Sequence, residues 1–294
     1  MKKFIIWDLF GGGQNSVYHT VQEFNLPFDV FTFDITEPQH NNQFKMDLAQ
    51  DNLIECFKPY PKPDIIVASP LCQSFSSALA VKGGRVGWEV LSNKSIRMRS
   101  LDEIKECLKR NPYMKNWKSE VMLERAKLGK KCVENTLMII EYFKPKYWYI
   151  ENPRNSLMWN YIKYNYKFIG NDNLADYSAY GFLAKKPTNF FSNINLNLKT
   201  GGYEQPKKIK ENNKTYLLFK DGKKVEWVNC RSSMIERLNE ASMNAIQQNK
   251  KQKLNDSSTH QIKEAGAVSA IPHKLLADIL TQFLQYLIYW KEII

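Results

Sequence analysis

The sequence predicts an α/β domain with a doubly wound parallel sheet, and three observations carry that prediction. Short apolar runs closed by a polar or acidic residue recur along the first half of the chain, segments of helical period lie between them, and three consecutive glycines follow the first run. In sheets of this kind ligands bind at the carboxyl ends of the strands, so the residue that closes each run matters as much as the run itself.

Phe4-Ile5-Ile6-Trp7 reads as a buried strand that meets its first charge at Asp8, and Gly11, Gly12 and Gly13 break it before a helix over 14–24. A second strand, Asp29 to Asp34, again ends on an acid, and Asp64 to Ala68 is a third, closed by Ser69-Pro70. Residues 132–143 have helical spacing up to Lys144-Pro145, and the strand Tyr147 to Glu151 follows. Beyond 199 the pattern changes. Tyr216 to Phe219, an Asp221-Gly222 turn and Val225 to Val228 form a hairpin signal, 247–261 is polar and reads as a loop, and 271–290 is an amphipathic closing helix.

Hydrophobic residues make up 43% and charged residues 24% of 294 positions, a globular balance and not that of a disordered chain. No apolar run reaches the roughly eighteen residues of a membrane span. The run before Asp8 is too short for a signal-peptide core, so an intracellular protein is expected. Five cysteines without a CxxC, and four histidines, suggest neither a disulfide framework nor a zinc site. The formal charge of +12 is uneven: residues 82–131 carry +8 and 199–253 carry +7, whereas 1–81 carry −4. Basic segments interleaved with Trp88, Tyr113, Trp117, Tyr203, Tyr216 and Trp227 fit a phosphate-backbone binder, although a lysine-rich solvated surface has the same composition.

The strand ends gather the chemistry. Glycines after Asp8 let a ligand approach the backbone, and Asp34 lies about twenty residues on, where an acid can accept bonds from a ribose. There is no GxxxxGK[ST] phosphate loop. Cys72, on the polar loop Ser69 to Ser76 just past a buried strand, stands where a thiolate could react, although a lone cysteine is more often inert. Glu151, closing the next strand, is placed to carry a raised pKa and donate a proton.

In this order, Asp8-Leu9-Phe10-Gly11-Gly12-Gly13, Pro70-Leu71-Cys72-Gln73-Ser74-Phe75-Ser76, Glu151-Asn152-Pro153, Tyr180-Gly181 with Lys185-Lys186, and Ala270-Ile271-Pro272 before the last helix resemble the DNA (cytosine-5) methyltransferases, above all short phage-type members. The resemblance runs through nearly the whole chain. It implies a Rossmann-like methyltransferase sheet with a small target-recognition lobe. Residues 1–190 would form the catalytic domain, with a basic insert at about 80–131; 191–235 would be the lobe, and 236–294 a return segment with the closing helix.

It further implies S-adenosylmethionine as cofactor, cradled by Asp8, Phe10, Gly11, Gly12, Gly13 and Pro70. Asp34 would hold the ribose, Asp47 the adenine amino group, and Ser269 would stand for an asparagine of the family. Cys72 would be the nucleophile and Glu151 the acid, on a cytosine extruded from double-stranded DNA. Ser74, Ser76, Arg85, Lys94, Arg97, Arg99, Lys185 and Lys186 would contact the nucleic acid, with Lys82 close by. The chain departs from the family pattern in placing Leu71 directly before the cysteine, and Ala184, Lys185, Lys186 and Thr188 where a glutamine and arginines are usual. A DNA-associated monomer without membrane contact is expected. A tRNA cytosine methyltransferase and a catalytically silent nucleic-acid-binding relative share these motifs. An amino-methyltransferase would need a second proline and an aromatic where Leu71 and Cys72 stand, and Asn111-Pro112-Tyr113 lies in the polar insert.

Overall fold

The computed structural model describes residues 3–114, 116–182, 186–201, 207–212, 214–218, 224–226 and 270–293. In chain order the strands of its main sheet are β1 (Phe4–Leu9), β2 (Phe28–Asp34), β3 (Gln43–Lys45) and β4 (Ile65–Ala68). An insert then contributes β5 (Ala80–Val81), β6 (Gly84–Arg85), β7 (Trp88–Val90) and β8 (Ile96–Met98), before β9 (Tyr147–Pro153), β10 (Asn171–Asp176) and β11 (Pro187–Ser192) return to the main sheet. The seven strands lie in the order β10-β11-β9-β4-β1-β2-β3. Those from β3 to β9 pair parallel; β11 runs antiparallel to β9, and β10 antiparallel to β11. The fold is therefore mixed α/β with a mostly parallel seven-stranded sheet.

Both faces of the central strands are covered, which is why they read as continuous apolar runs. Phe4, Ile6, Val30, Ile65, Val67, Tyr147 and Tyr149 point to one face. There they meet Val17 and Val21 of α1 (Ser16–Glu23) and the apolar side of the last helix, His273–Ile293. Trp7, Leu9, Phe33, Ile66, Ala68, Trp148 and Ile150 point to the other. They pack against α2 (Leu53–Phe57) and against Val133, Leu137 and Ile140 of a helix over Ser119–Phe143. Each fully buried Ile, Leu, Val or Phe contributes about 1.5–3 kcal/mol, so these two layers supply most of the cohesion.

In the insert, the helical spacing of Leu101 to Leu108 and of Val121 to Leu128 corresponds to helices, but the part before them differs from the sequence reading. Its first part is a four-stranded antiparallel meander of β5, β6, β7 and β8, followed by α3 (Leu101–Lys109). Ser100 opens α3 with a capping box, its hydroxyl accepting from the Glu103 amide while the Glu103 carboxylate accepts from the Ser100 amide. Its last part belongs to a single 25-residue helix, α4 (Ser119–Phe143), which extends the helix expected at 132–143 by more than three turns. Lys144, with φ 46°, ends it just before Pro145. A three-residue α5 (Met158–Asn160) and α6 (His273–Ile293) complete the helices treated below. The hairpin signal corresponds to β13 (Lys214–Leu218) and β14 (Lys224–Glu226), paired antiparallel, with β12 (Lys207–Glu211) added on the other side of β13. The polar stretch 247–261 lies outside the described residues. Among the described residues no helix is long and apolar enough to cross a membrane.

Two arginines expected to face phosphate instead hold the meander together. Arg99 is 8% exposed, donates to the carbonyls of Arg85 and Lys82 at 3.3 and 3.5 Å, and lies 3.7 Å from Glu89. Arg97 is clamped between Glu89 and Glu103, meeting the latter through two nitrogens at 2.9 and 2.6 Å. Removing a buried guanidinium that closes partly buried carbonyls weakens their pairing, so Arg99→Ala should cost about 1 kcal/mol or more. Thermal or urea unfolding of the variant should show that loss, and an unchanged midpoint would mean the network carries no weight.

Candidate active site

Chain progression reverses between β1 and β4. From β1 the sheet runs to β2 and β3 on one side and to β4 and β9 on the other. Such a switch point opens a crevice outside the carboxyl ends of the strands. Beyond β1, Phe10 takes φ 64° and Gly12 φ 63°, both left-handed values, of which only the glycine's is free of a Cβ penalty. The turn brings the Gly12 amide to Asp34 Oδ2 at 2.9 Å, while Asp34 Oδ1 accepts from the Thr36 amide at 2.9 Å. A Cβ on Gly11 would lie 2.4 Å from Thr32 and 2.5 Å from the Asp8 carboxyl, so this glycine is required by packing. Gly13 is exposed, with only the Gln39 amide nearby.

Asp8 is buried beside this turn, and its Oδ2 has no hydrogen-bond partner. Burial first, and the charge of Asp34 second, push its carboxyl well above the usual range. Asp47 is exposed, its carboxylate accepting from the Ala49 amide; the preceding Met46 amide donates to the Asp34 carbonyl at 2.7 Å.

The loop after β4 is pinned from three directions. The buried Pro70 offers its carbonyl to Asn152 Nδ2 at 3.0 Å. Phe75 stacks on Trp88 of β7 at 4.9 Å, and its carbonyl accepts from the Leu157 amide at 3.1 Å. Ser74 is pressed onto α4 where Gly129 leaves room: a Cβ there would stand 2.2 Å from Ser74 Oγ. Cys72 opens the short turn Gln73–Phe75 and is half-buried, its neighbour Leu71 being exposed.

Across the sheet from this loop, Glu151 is 7% exposed at the end of β9. Its Oε1 accepts from the Tyr177 hydroxyl at 3.2 Å, and the Ser69 hydroxyl donates to the same carboxyl. Tyr177 is in turn hydrogen-bonded by Thr188 of β11. Lys186, half-buried, lies with its ammonium 4.4 Å over the Tyr177 ring. Its backbone is fixed by the Asp176 carboxylate and by the Tyr177 amide. The three charged groups feel one another. Burial raises the Glu151 carboxyl, against Lys186, Tyr177 and Ser69. Burial and Glu151 push the Cys72 thiol up, against Lys186. Burial pulls the Lys186 ammonium down, against Glu151 and Cys72.

The structure thus brings together Cys72, Glu151 and Lys186, with Asp8, Phe10 to Gly13 and Asp34 at the neighbouring strand ends. Several side chains expected at nucleic acid have other partners. Ser74 is buried against α4 and Arg99 within the meander, whereas Arg97 is exposed and ion-paired with Glu89 and Glu103. Arg85 is half-buried, bonded to the carbonyls of Gly84 and of Asn155, and so ties the meander to the loop after β9. Lys186 belongs to the pocket of Cys72 and Glu151 and not to an outer surface. Lys94 is exposed, its ammonium 5.9 Å over Tyr164, and Ser76 is half-buried on the loop. Lys185 and Ser269 lie outside the described residues. Sequence reading gave no role to Tyr177, Ser69 or Asn152; Ser69 had a signal as the start of the Cys72 loop, and Asn152 as part of Glu151-Asn152-Pro153. Among the described residues no three His, Cys, Asp or Glu side chains are grouped to hold a metal ion.

A half-buried thiol, a buried carboxyl and an ammonium in mutual range can add a sulfur nucleophile to an unsaturated ring while protonating it. Compared with known proteins, the chain matches no family model and no curated protein.

Asp8 yields a pH test. Its folded pKa lies above the unfolded value of about 3.9, so its contribution to stability is full below that value and is lost as pH rises toward the folded pKa. Asp8→Asn removes this loss. The variant should gain melting temperature over the parent, with a gap that widens from pH 4 to pH 8. A gap that narrows over that range would refute the upward shift of this buried carboxyl.

Proposed function

We propose that this chain is a DNA (cytosine-5) methyltransferase that uses S-adenosylmethionine and extrudes its target cytosine from double-stranded DNA. The observation that carries the reading is the meeting of Cys72 and Glu151 at the carboxyl ends of two adjacent parallel strands. The crevice at the β1/β4 switch point supports a cofactor site beside them. So does the residue set around it: Gly12 in a left-handed turn, Asp34 with both oxygens at the crevice edge on backbone amides, and the unpartnered oxygen of Asp8. Asp34 retains lone pairs for ribose hydroxyls, and burial raises the Asp8 carboxyl toward its hydrogen-bond-donating form.

The cofactor, when bound, supplies an electrophilic methyl group on sulfonium. The chain's own residues make the cytosine able to accept it. Carbon 5 of cytosine is a poor nucleophile until the Cys72 thiolate adds to carbon 6. Glu151, its carboxyl raised by burial, bonds ring nitrogen 3 and the exocyclic amine and stabilises the adduct. Tyr177 and Ser69 keep that carboxyl oriented. After a base takes the carbon 5 proton, the carbon–sulfur bond breaks and the Cys72 thiolate is released. Burial of Glu151 and Tyr177 limits the water that could screen these charges. Extruding the base costs a few kcal/mol, and the exposed lysines Lys82 and Lys94 are the candidates to hold the backbone.

The test is a covalent adduct. The protein should form a denaturation-resistant complex with duplex DNA containing 5-fluorocytosine in the presence of S-adenosylmethionine, and a tRNA carrying the same base should form none. Cys72→Ala should abolish both adduct and methyl transfer while DNA affinity persists. Glu151→Gln should slow turnover by at least about 10²-fold. Normal turnover by the Cys72→Ala protein would end this reading.

A further inference from the structure

We propose that Arg154 holds the phosphodiester beside the extruded cytosine, through a guanidinium that the rim of the pocket presents to solvent. The inference rests on the functional reading above and adds to it a substrate-binding residue that neither the motifs nor the basic segments indicated.

β9 ends at Pro153, so Arg154 is the first residue beyond the carboxyl edge of the strand that carries Glu151. The turn it opens is bonded to four other parts of the structure. The Arg154 amide donates to the Pro187 carbonyl at 3.0 Å, which fixes the turn to the start of β11. The Leu157 amide donates to the Phe75 carbonyl at 3.1 Å, which fixes it to the cysteine loop. From the meander, Arg85 Nη2 reaches the Asn155 carbonyl at 3.1 Å. The Pro153 carbonyl accepts from the Ser156 amide and from Trp159 Nε1 of α5, each at 2.9 Å. Backbone tied on so many sides has little freedom, so the place of Arg154 is set relative to Cys72 and Glu151 alike.

The side chain takes no part in this network. It is exposed, and among the described residues its guanidinium has no carboxylate, carbonyl or ring partner. The exposed Arg97 and Arg110, by contrast, pair with glutamates. The donors of Arg154 stay free, in a fork that matches two oxygens of one phosphate. Arg85, bonded to the next residue, adds a second positive group to the same rim. Position selects the anion. Glu151 lies three residues back, about 10 Å of extended chain. A cytosine ring bonded at Glu151 and attacked by Cys72 leaves its sugar and phosphates outside, along the rim this turn forms. A guanidinium there engages the backbone without reading a base. Because it meets that phosphate with the nucleotide out of the stack, it offsets part of the few kcal/mol that extrusion costs.

Arg154→Ala tests this on duplex DNA containing 5-fluorocytosine, with S-adenosylmethionine present. Since the side chain touches nothing described in the protein, its loss should leave the melting temperature unchanged. Adduct formation at limiting DNA reports affinity and extrusion together, and its log–log dependence on salt should flatten by about 0.9 of a unit. Arg154→Lys, which keeps the charge, should restore that slope. At saturating DNA the alanine variant should still form the adduct about tenfold more slowly, because a charge-assisted contact made in the extruded state is missing. An unchanged slope overturns the phosphate contact. A flattened slope with a parental rate at saturation moves the contact away from the target nucleotide and overturns the proposal as well. So does a drop in melting temperature with the slope intact, which makes Arg154 a brace of the turn. The wider reading fails on a different result. A parent protein that forms no adduct at all ends the methyltransferase reading and this inference with it, whereas a parent that forms one, matched by Arg154→Ala, ends only the role of Arg154.

Discussion

Setting the Glu151 carboxyl among the rings of Tyr149, Tyr177 and Phe190 removes solvation that only local donors can replace, and much of the surrounding chain is arranged to provide them. Ser69 comes from the end of β4 and Tyr177 from the turn after β10. Thr188, at the start of β11, steadies Tyr177. That set exists only because β11 returns antiparallel beside β9, placing Phe190 opposite Glu151 and Thr188 opposite Pro153. The reversed strand pair at this edge is thus the element that completes a polar pocket inside an apolar sheet. The next residue, Asn152, reaches back to Pro70 and so links the carboxyl's strand to the cysteine's loop.

The cysteine loop depends on close packing more than on hydrogen bonds. Gly129, halfway along α4, is the position where the helix lets the loop's Ser74 and Phe75 approach. Trp88 holds the other side of Phe75. The insert is therefore a buttress for the loop that carries Cys72, and its ion pairs serve that role. Its positive charge was a poor guide to its contacts, since Glu89 and Glu103 within the same segment neutralise Arg97 and Arg99 at short range.

The parallel core was legible in the sequence because its strands are buried on both faces: Phe4-Ile5-Ile6-Trp7, Ile65-Ile66-Val67-Ala68 and Tyr147 to Ile150 leave no polar position to obscure them. The residues that end those strands were legible for the same reason. The meander was not, since strands of two or three residues are too short to show alternation. Nor was β10, whose sequence Asn-Asp-Asn-Leu-Ala-Asp reads as a loop. Its buried Asn173 is tolerated because its amide donates to the carbonyls of Phe190 and Ile194 and its oxygen accepts from the Leu196 amide. Side chains that satisfy main chain across the sheet leave no trace in hydropathy. The place of Lys186 was hidden similarly, since a lysine beside Lys185 reads as surface charge until the turn that buries it is known.

The last helix has a consequence for how the protein is made. Leu275, Leu276, Ile279, Leu280, Phe283 and Leu287 are fully buried, with Phe283 stacked on Tyr147 at 5.3 Å. They cover a sheet face begun by Phe4 and Ile6. On a ribosome that face is synthesised well before the last helix, and the part not covered by α1 waits while more than two hundred further residues are added. Contacts of such long separation form late and leave apolar strands open to wrong partners meanwhile. The nascent chain thereby passes through a period in which this face lacks its final apolar cover.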